Sequence, residues 1–102
     1  MNKSRKNKQL DLEALTMAAE CLKALAHPHR LQIVQLLLSG EQLSVNEIAA
    51  HCELNQPTTS DHLRLMQRCG FLSSERSGRT VYYSVAEPHL GDIMTCIQSR
   101  FG

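Results

Sequence analysis

Long apolar runs are missing from this chain of 102 residues: no stretch of 18 or more exists, so no helix able to cross a membrane is expected. The start, MNKSRKNKQL, is basic but has no apolar segment behind it, which excludes a secretory signal and points to a soluble, cytoplasmic protein. Catalytic signatures are missing too. There is no Gly-rich phosphate loop, HExxH, GxSxG or carboxylate pair in a plausible cleft, and little chain to build a substrate cavity, so an enzyme is not expected. The four cysteines, Cys21, Cys52, Cys69 and Cys96, lie 31, 17 and 27 residues apart. That spacing holds no CxxC knuckle or zinc-ribbon pair, and free thiols are expected in a reducing compartment.

A strong charge excess is also lacking, with formal net charge only +1, but the distribution is uneven. Lys3, Arg5, Lys6 and Lys8 place +4 in the first eight residues, residues 9–50 carry −3, and residues 51–102 balance. Residues 1–9 therefore read as a disordered basic tail, either merely solvated or able to touch phosphates. Residues 10–102 are enough for one domain, which buries roughly 60–70% of its unfolded surface.

What is present is a succession of short helices. Asp11 caps a first helix with apolar Leu12, Leu15, Ala18, Ala19, Leu22 and Leu25, interrupted at His27-Pro28. Pro28 suits the first turn of a second, with Leu31, Val34, Leu37 and Leu38 on one face until Gly40. Ser44 and Glu47 form a capping box for a third, VNEIAAHC, and Asn55 caps a fourth whose buried side comes late, at Leu63 and Met66 with Thr59 one turn earlier, and that Gly70 ends. From Phe71 to Val85 the period changes to two, with turn chemistry at Ser77-Gly78, giving a hairpin with Arg76 and Arg79 at its tip. Pro88 opens a last helix striped by Leu90, Ile93, Met94, Ile97 and Phe101. The expected fold is mainly α (α+β), a winged helix-turn-helix of five helices with a two-stranded wing between the fourth and fifth.

The fourth helix opens with NQPTTSDH, a polar front where a buried helix would carry leucines. A helix that enters the major groove N-terminus first needs small polar residues there, with core duty left to later positions. Gln56 can pair with adenine, Thr58 and Ser60 can bond base edges or phosphates, and a threonine methyl can meet the thymine methyl. Asp61 can accept from cytosine N4 but brings negative charge toward phosphates; His62 and Arg64 are placed for the backbone, as are the free amides of a helix start that holds Pro57. The candidate DNA contacts are Gln56, Pro57, Thr58, Thr59, Ser60, Asp61, His62 and Arg64, with Arg76 and Arg79 of the wing reaching the minor groove. A merely solvated polar helix is the bland alternative.

The segments ALAHPHRLQIVQLL, LSVNEIA, LNQPTTSDHLRLM and GFL…RSGRTVYYSV closely resemble the ArsR/SmtB family of bacterial repressors, from about Leu22 onward. The resemblance implies a homodimer built on the first and last helices, binding double-stranded DNA at an imperfect palindrome in an operator, and leaving it when an effector arrives. The apolar stripe of the last helix agrees, since it needs a partner surface.

Effector sites carry over poorly. The CxC of thiolate-type metal sensors is replaced by Ser44, Val45 and Asn46. Glu87 and His89 mimic half of a zinc or nickel site, but Arg100 stands where a later histidine belongs, so no metal site and no cofactor are expected. Cys21 and Cys96, on helices that pack together in this architecture, are the candidate effector or redox pair, as a disulfide or with a thiol-bound metal or metalloid. His27 and His29 read as capping or surface residues, Cys52 and Cys69 as inward-facing, and Met66 and Met94 as core. Alternatives to an effector-released repressor are a repressor without effector and a protein-binding winged helix.

Overall fold

The computed structural model describes residues 9–102, so the four cations of the basic tail lie outside the described residues. The order of elements is α1 (Leu12–Lys23), α2 (Pro28–Leu37), β1 (Leu43–Ser44), α3 (Val45–Cys52), α4 (Gln56–Arg68), β2 (Leu72–Ser77), β3 (Thr80–Val85) and α5 (Leu90–Phe101).

Local chemistry sets most of the boundaries. Asp11 accepts from the Ala14 amide at 2.8 Å and starts α1; His27 starts α2 by accepting from the His29 amide, with Pro28 in the first turn. At α3 the capping box is complete: Ser44 Oγ accepts from the Glu47 amide at 3.1 Å, and Glu47 Oε1 from the Ser44 amide at 2.8 Å. The turn from α3 to α4 is made by Glu53 in the left-handed region, φ 55°, and Asn55 then caps α4 by accepting from the Thr58 amide at 2.8 Å.

Three boundaries differ from the sequence reading. Leu43–Ser44 pairs antiparallel with Tyr82–Tyr83 and makes the expected two-stranded wing a sheet of three, in the order β1-β3-β2. Two residues are too few to show a period of two. Pro88 and His89 form a turn and α5 begins at Leu90, because Glu87 accepts from the His89 amide at 2.8 Å and closes a turn first. Finally, α2 stops at Leu37, ahead of Gly40.

The core lies where α2, α3, α4, the sheet and α5 meet, at Ile33, Val34, Leu37, Ile48, Leu63, Met66, Leu72, Tyr83, Leu90 and Met94. A fully buried side chain of this size contributes about 1.5–3 kcal/mol relative to exposure. Helix α1 differs, since none of its residues is buried against the rest of the described chain. Its apolar side is not covered by the described residues.

Candidate nucleic-acid interface

Late leucines hold α4 down and leave its first two turns free. Leu63 and Met66 are fully buried, whereas Gln56, Pro57 and Asp61 are exposed and Thr58 and Ser60 half-exposed. The wing stands beside it. In the hairpin Ser77 pairs with Thr80, so the two-residue turn is Gly78-Arg79, with Gly78 at φ 65°, a conformation that suits glycine. Arg76 and Arg79 are both exposed at this tip.

Between the starts of α3 and α4 and strand β3 lies an open cleft of about 440 Å³, lined by Asn46, Glu47, Gln56, Arg79, Thr80 and Tyr82 among others. Reader and wing therefore border one space. Glu47 is its carboxylate, but it is engaged by the Ser44 amide in the capping box. Asn46 and Tyr82 were not among the residues the sequence pointed to. Nothing in their local pattern marks them; their place depends on β3 folding back beside α3.

Two expected contacts prove to face inward. Thr59 is fully buried, its hydroxyl donating to the Asn55 carbonyl at 2.8 Å, and His62 is 8% exposed, its Nδ1 accepting from Arg30 Nε at 3.0 Å. Both fall on the stripe of Leu63 and Met66, at i, i+3, i+4 and i+7, and so cannot also point at nucleotides. His62 is shifted down from the ordinary histidine range by burial first, then by Arg30, His27 and His29, with Asp61 opposing.

Asp61 and Arg64 form an exposed ion pair at 2.7 Å. The pair offsets the negative charge of Asp61 on the helix front, though at this exposure it adds little stability. Behind the front, Gln67 Nε2 donates to Ser74 Oγ at 2.9 Å and ties α4 to β2. Gln42 similarly reaches Glu75 from the turn before β1, at 3.3 Å.

All four cysteines are free. Cys96 is exposed on α5, while Cys21 is half-buried against the core, and within the chain its thiol neighbour is Cys69. Burial and then Cys21 push the Cys69 thiol up, and burial does the same to Cys52. Cys69 is half-buried where a fully inward position was expected, because it sits at the C-cap of α4. Glu87 and His89 bind each other, at 2.8 Å, and backbone and side-chain hydrogen bonds from His89 lower the Glu87 pKa. Among the described residues no three His, Cys, Asp or Glu side chains are grouped to hold a metal, and no helix is long and apolar enough to cross a membrane.

Comparison with known proteins gives the same picture. Residues 27–74 match the family described as bacterial regulatory protein, arsR family. The transcriptional repressor SmtB of Mycobacterium tuberculosis is 42% identical over 82 residues, covering 80% of this chain and 60% of SmtB. The transcriptional repressor PagR of Bacillus anthracis is 37% identical over 86 residues, covering 84% of this chain and 86% of PagR. A homodimeric winged helix-turn-helix DNA-binding domain from Mycobacterium bovis, described as a possible ArsR-family regulator, superposes with a TM-score of 0.75. It is 31% identical, and the match covers 92% of this chain and 88% of that one. The chain spans only about 60% of the length of SmtB and of a probable mercury resistance operon repressor from Streptomyces lividans.

Proposed function

The chain belongs to the arsR family of bacterial regulatory proteins, and from that premise we propose that it is a dimeric repressor that reads operator DNA with the front of α4 and the tip of the wing. The observation that carries this is the shared cleft: Gln56 of the reader helix and Arg79 of the wing line one open space, so a single duplex can touch both. Gln56, Thr58 and Ser60 supply contacts to base edges, and Arg76 and Arg79 bind the backbone or minor groove without regard to sequence. Asp61 tunes base choice, its charge offset by Arg64.

The surface of α1 and the end of α5 support a dimer. Leu12, Leu15 and Leu22 form one exposed stripe on α1, and Phe101 is 80% exposed at the end of α5. A second copy covering these residues gives the two-fold arrangement that a palindromic operator requires. The proposal assigns the chain to the cytoplasm, where its DNA is, and gives it no catalytic step and no cofactor. Cys21 and Cys96 remain its candidate thiols for an effector.

The test is selection of bound duplexes from a random library, followed by sedimentation of the protein alone and with the selected duplex. A dimer that enriches a palindrome and loses affinity steeply with salt supports the proposal. A monomer, or enrichment of no sequence, contradicts it and favours a winged helix that binds protein.

A further inference from the structure

The buried face of α4 carries an interaction that DNA reading does not use. Arg30 Nε donates to His62 Nδ1 at 3.0 Å, and Arg30 Nη1 lies 3.4 and 3.5 Å from the carbonyls of Lys23 and Ala24. One guanidinium thus joins the end of α1, the start of α2 and the middle of the reader helix. Two more imidazoles gather at the same place. The ring of His27 lies 4.7 Å from that of His62, and the ring of His29 lies 6.3 Å away.

Three clustered histidines suggest a metal, but their hydrogen bonds do not. His27 Nδ1 accepts from the His29 amide, and His62 Nδ1 accepts from Arg30. The neutral rings of His27 and His62 then carry their protons on Nε2, the nitrogen a metal would otherwise take, while His29 Nδ1 donates to Gln32 Oε1 at 3.2 Å and leaves one free Nε2, too few for a metal site. The ligand this cluster suits is a proton. A guanidinium donates only and keeps its charge, so the Arg30–His62 bond exists only while His62 is neutral. A proton on His62 removes the acceptor and sets imidazolium against guanidinium, with His27 and His29 adding to the repulsion. Asp61 alone among the charged groups around His62 opposes it, and Asp61 is exposed and paired with Arg64.

We propose that the Arg30–His62 contact is a proton-operated latch: with His62 neutral it seats α4 on α2 in the DNA-reading position, and protonation of His62 loosens α4 and lowers DNA affinity. The output rests on the DNA-binding function proposed above; the latch itself does not.

Nuclear magnetic resonance of the full chain from about pH 8 to about pH 5 reads the latch without DNA. The amides of Gln56–Arg68 shift with the midpoint of the His62 ring, and that response vanishes in His62→Gln, which keeps an acceptor for Arg30 but cannot ionise. If that variant does not fold, His29→Gln serves instead: it removes a neighbouring cation and moves the His62 midpoint upward. Affinity for the selected duplex, at fixed ionic strength, falls about fivefold or more for the wild type on acidification. In His62→Gln it rises, because the remaining histidines then only add positive charge to a protein that binds a polyanion. Wild-type affinity that rises like that of the variant, or α4 amides that ignore His62, overturns the latch. Absence of DNA binding at every pH overturns the repressor function and the output with it, while α4 amides that follow His62 still establish the switch.

Discussion

Gln67 on the reader helix donates to Ser74 on β2 over 2.9 Å, seven residues along the chain and across the turn that separates reader from wing. The wing is thereby held at a fixed angle to the helix whose front it flanks. Gln67→Ala is expected to cost only about 0.5–1.5 kcal/mol of stability, the net worth of such a bond. Its larger effect is on DNA: the wing arginines lose their alignment, and affinity falls while the base preference stays. Denaturant unfolding and a duplex titration on the same protein check the two halves.

Replacement of the reader front and of the wing should fail differently. Gln56→Ala or Ser60→Ala removes a base contact and relaxes choice at one position of the site, by about 1–3 kcal/mol of discrimination. Arg79→Ala weakens all duplexes alike and reduces the salt slope by about one. Titrations against the selected duplex and a scrambled one, at several salt concentrations, separate these outcomes.

The α1 stripe has a direct test. Leu15 is 48% exposed, between Leu12 and Leu22, on a helix with no residue buried against the other described residues. Leu15→Asp leaves the fold of residues 28–101 intact and breaks the dimer, since a carboxylate cannot be buried between two apolar faces without a partner. Sedimentation then gives a monomer, and DNA affinity drops by the loss of one half-site. An unchanged dimer places the interface elsewhere.

Acid stability follows from His62. Its folded pKa is lowered, so below the ordinary histidine value of about 6.5 the unfolded chain takes up a proton that the folded chain resists. Stability is complete above that value and is lost as pH falls through it toward the lower folded pKa. Thermal unfolding midpoints should therefore decline from neutral pH into the mild acid range for the wild type, and decline less for His62→Gln.

The thiols should react in order of exposure. Cys96 is exposed and reacts first with an alkylating reagent, Cys21 and Cys69 follow, and Cys52, buried and shifted up, reacts last. Mass spectrometry of timed samples gives the order directly. Early modification of Cys52 contradicts the packing of α3.

Much of this arrangement was legible in the residues themselves, because it depends on local chemistry. Asp11, Asn55 and the Ser44–Glu47 box declare helix starts, and each makes the hydrogen bond its type and spacing call for. The alternation of Val81, Tyr83 and Val85 marked the second wing strand for the same reason. What escaped depends on distant partners. Leu43–Ser44 becomes a strand only because Tyr82–Tyr83 lies alongside, and Arg30 finds His62 from 32 residues away. Thr59, read both on the buried side and among the contacts, is buried, and His62 was misassigned although its spacing from Leu63 and Met66 was visible. Their polar chemistry suggested nucleotides, and the helical period, which put them inside, was the better guide.

In the proposed complex Gln56, Thr58, Ser60 and the wing tip face one duplex together. Amide shift mapping on adding the selected duplex tests it most directly. The largest changes are expected at residues 56–61 and 76–80, with little at the buried core of α2 and along α5. Changes confined to α1 and α5, or a wing tip that does not respond while α4 does, would contradict it.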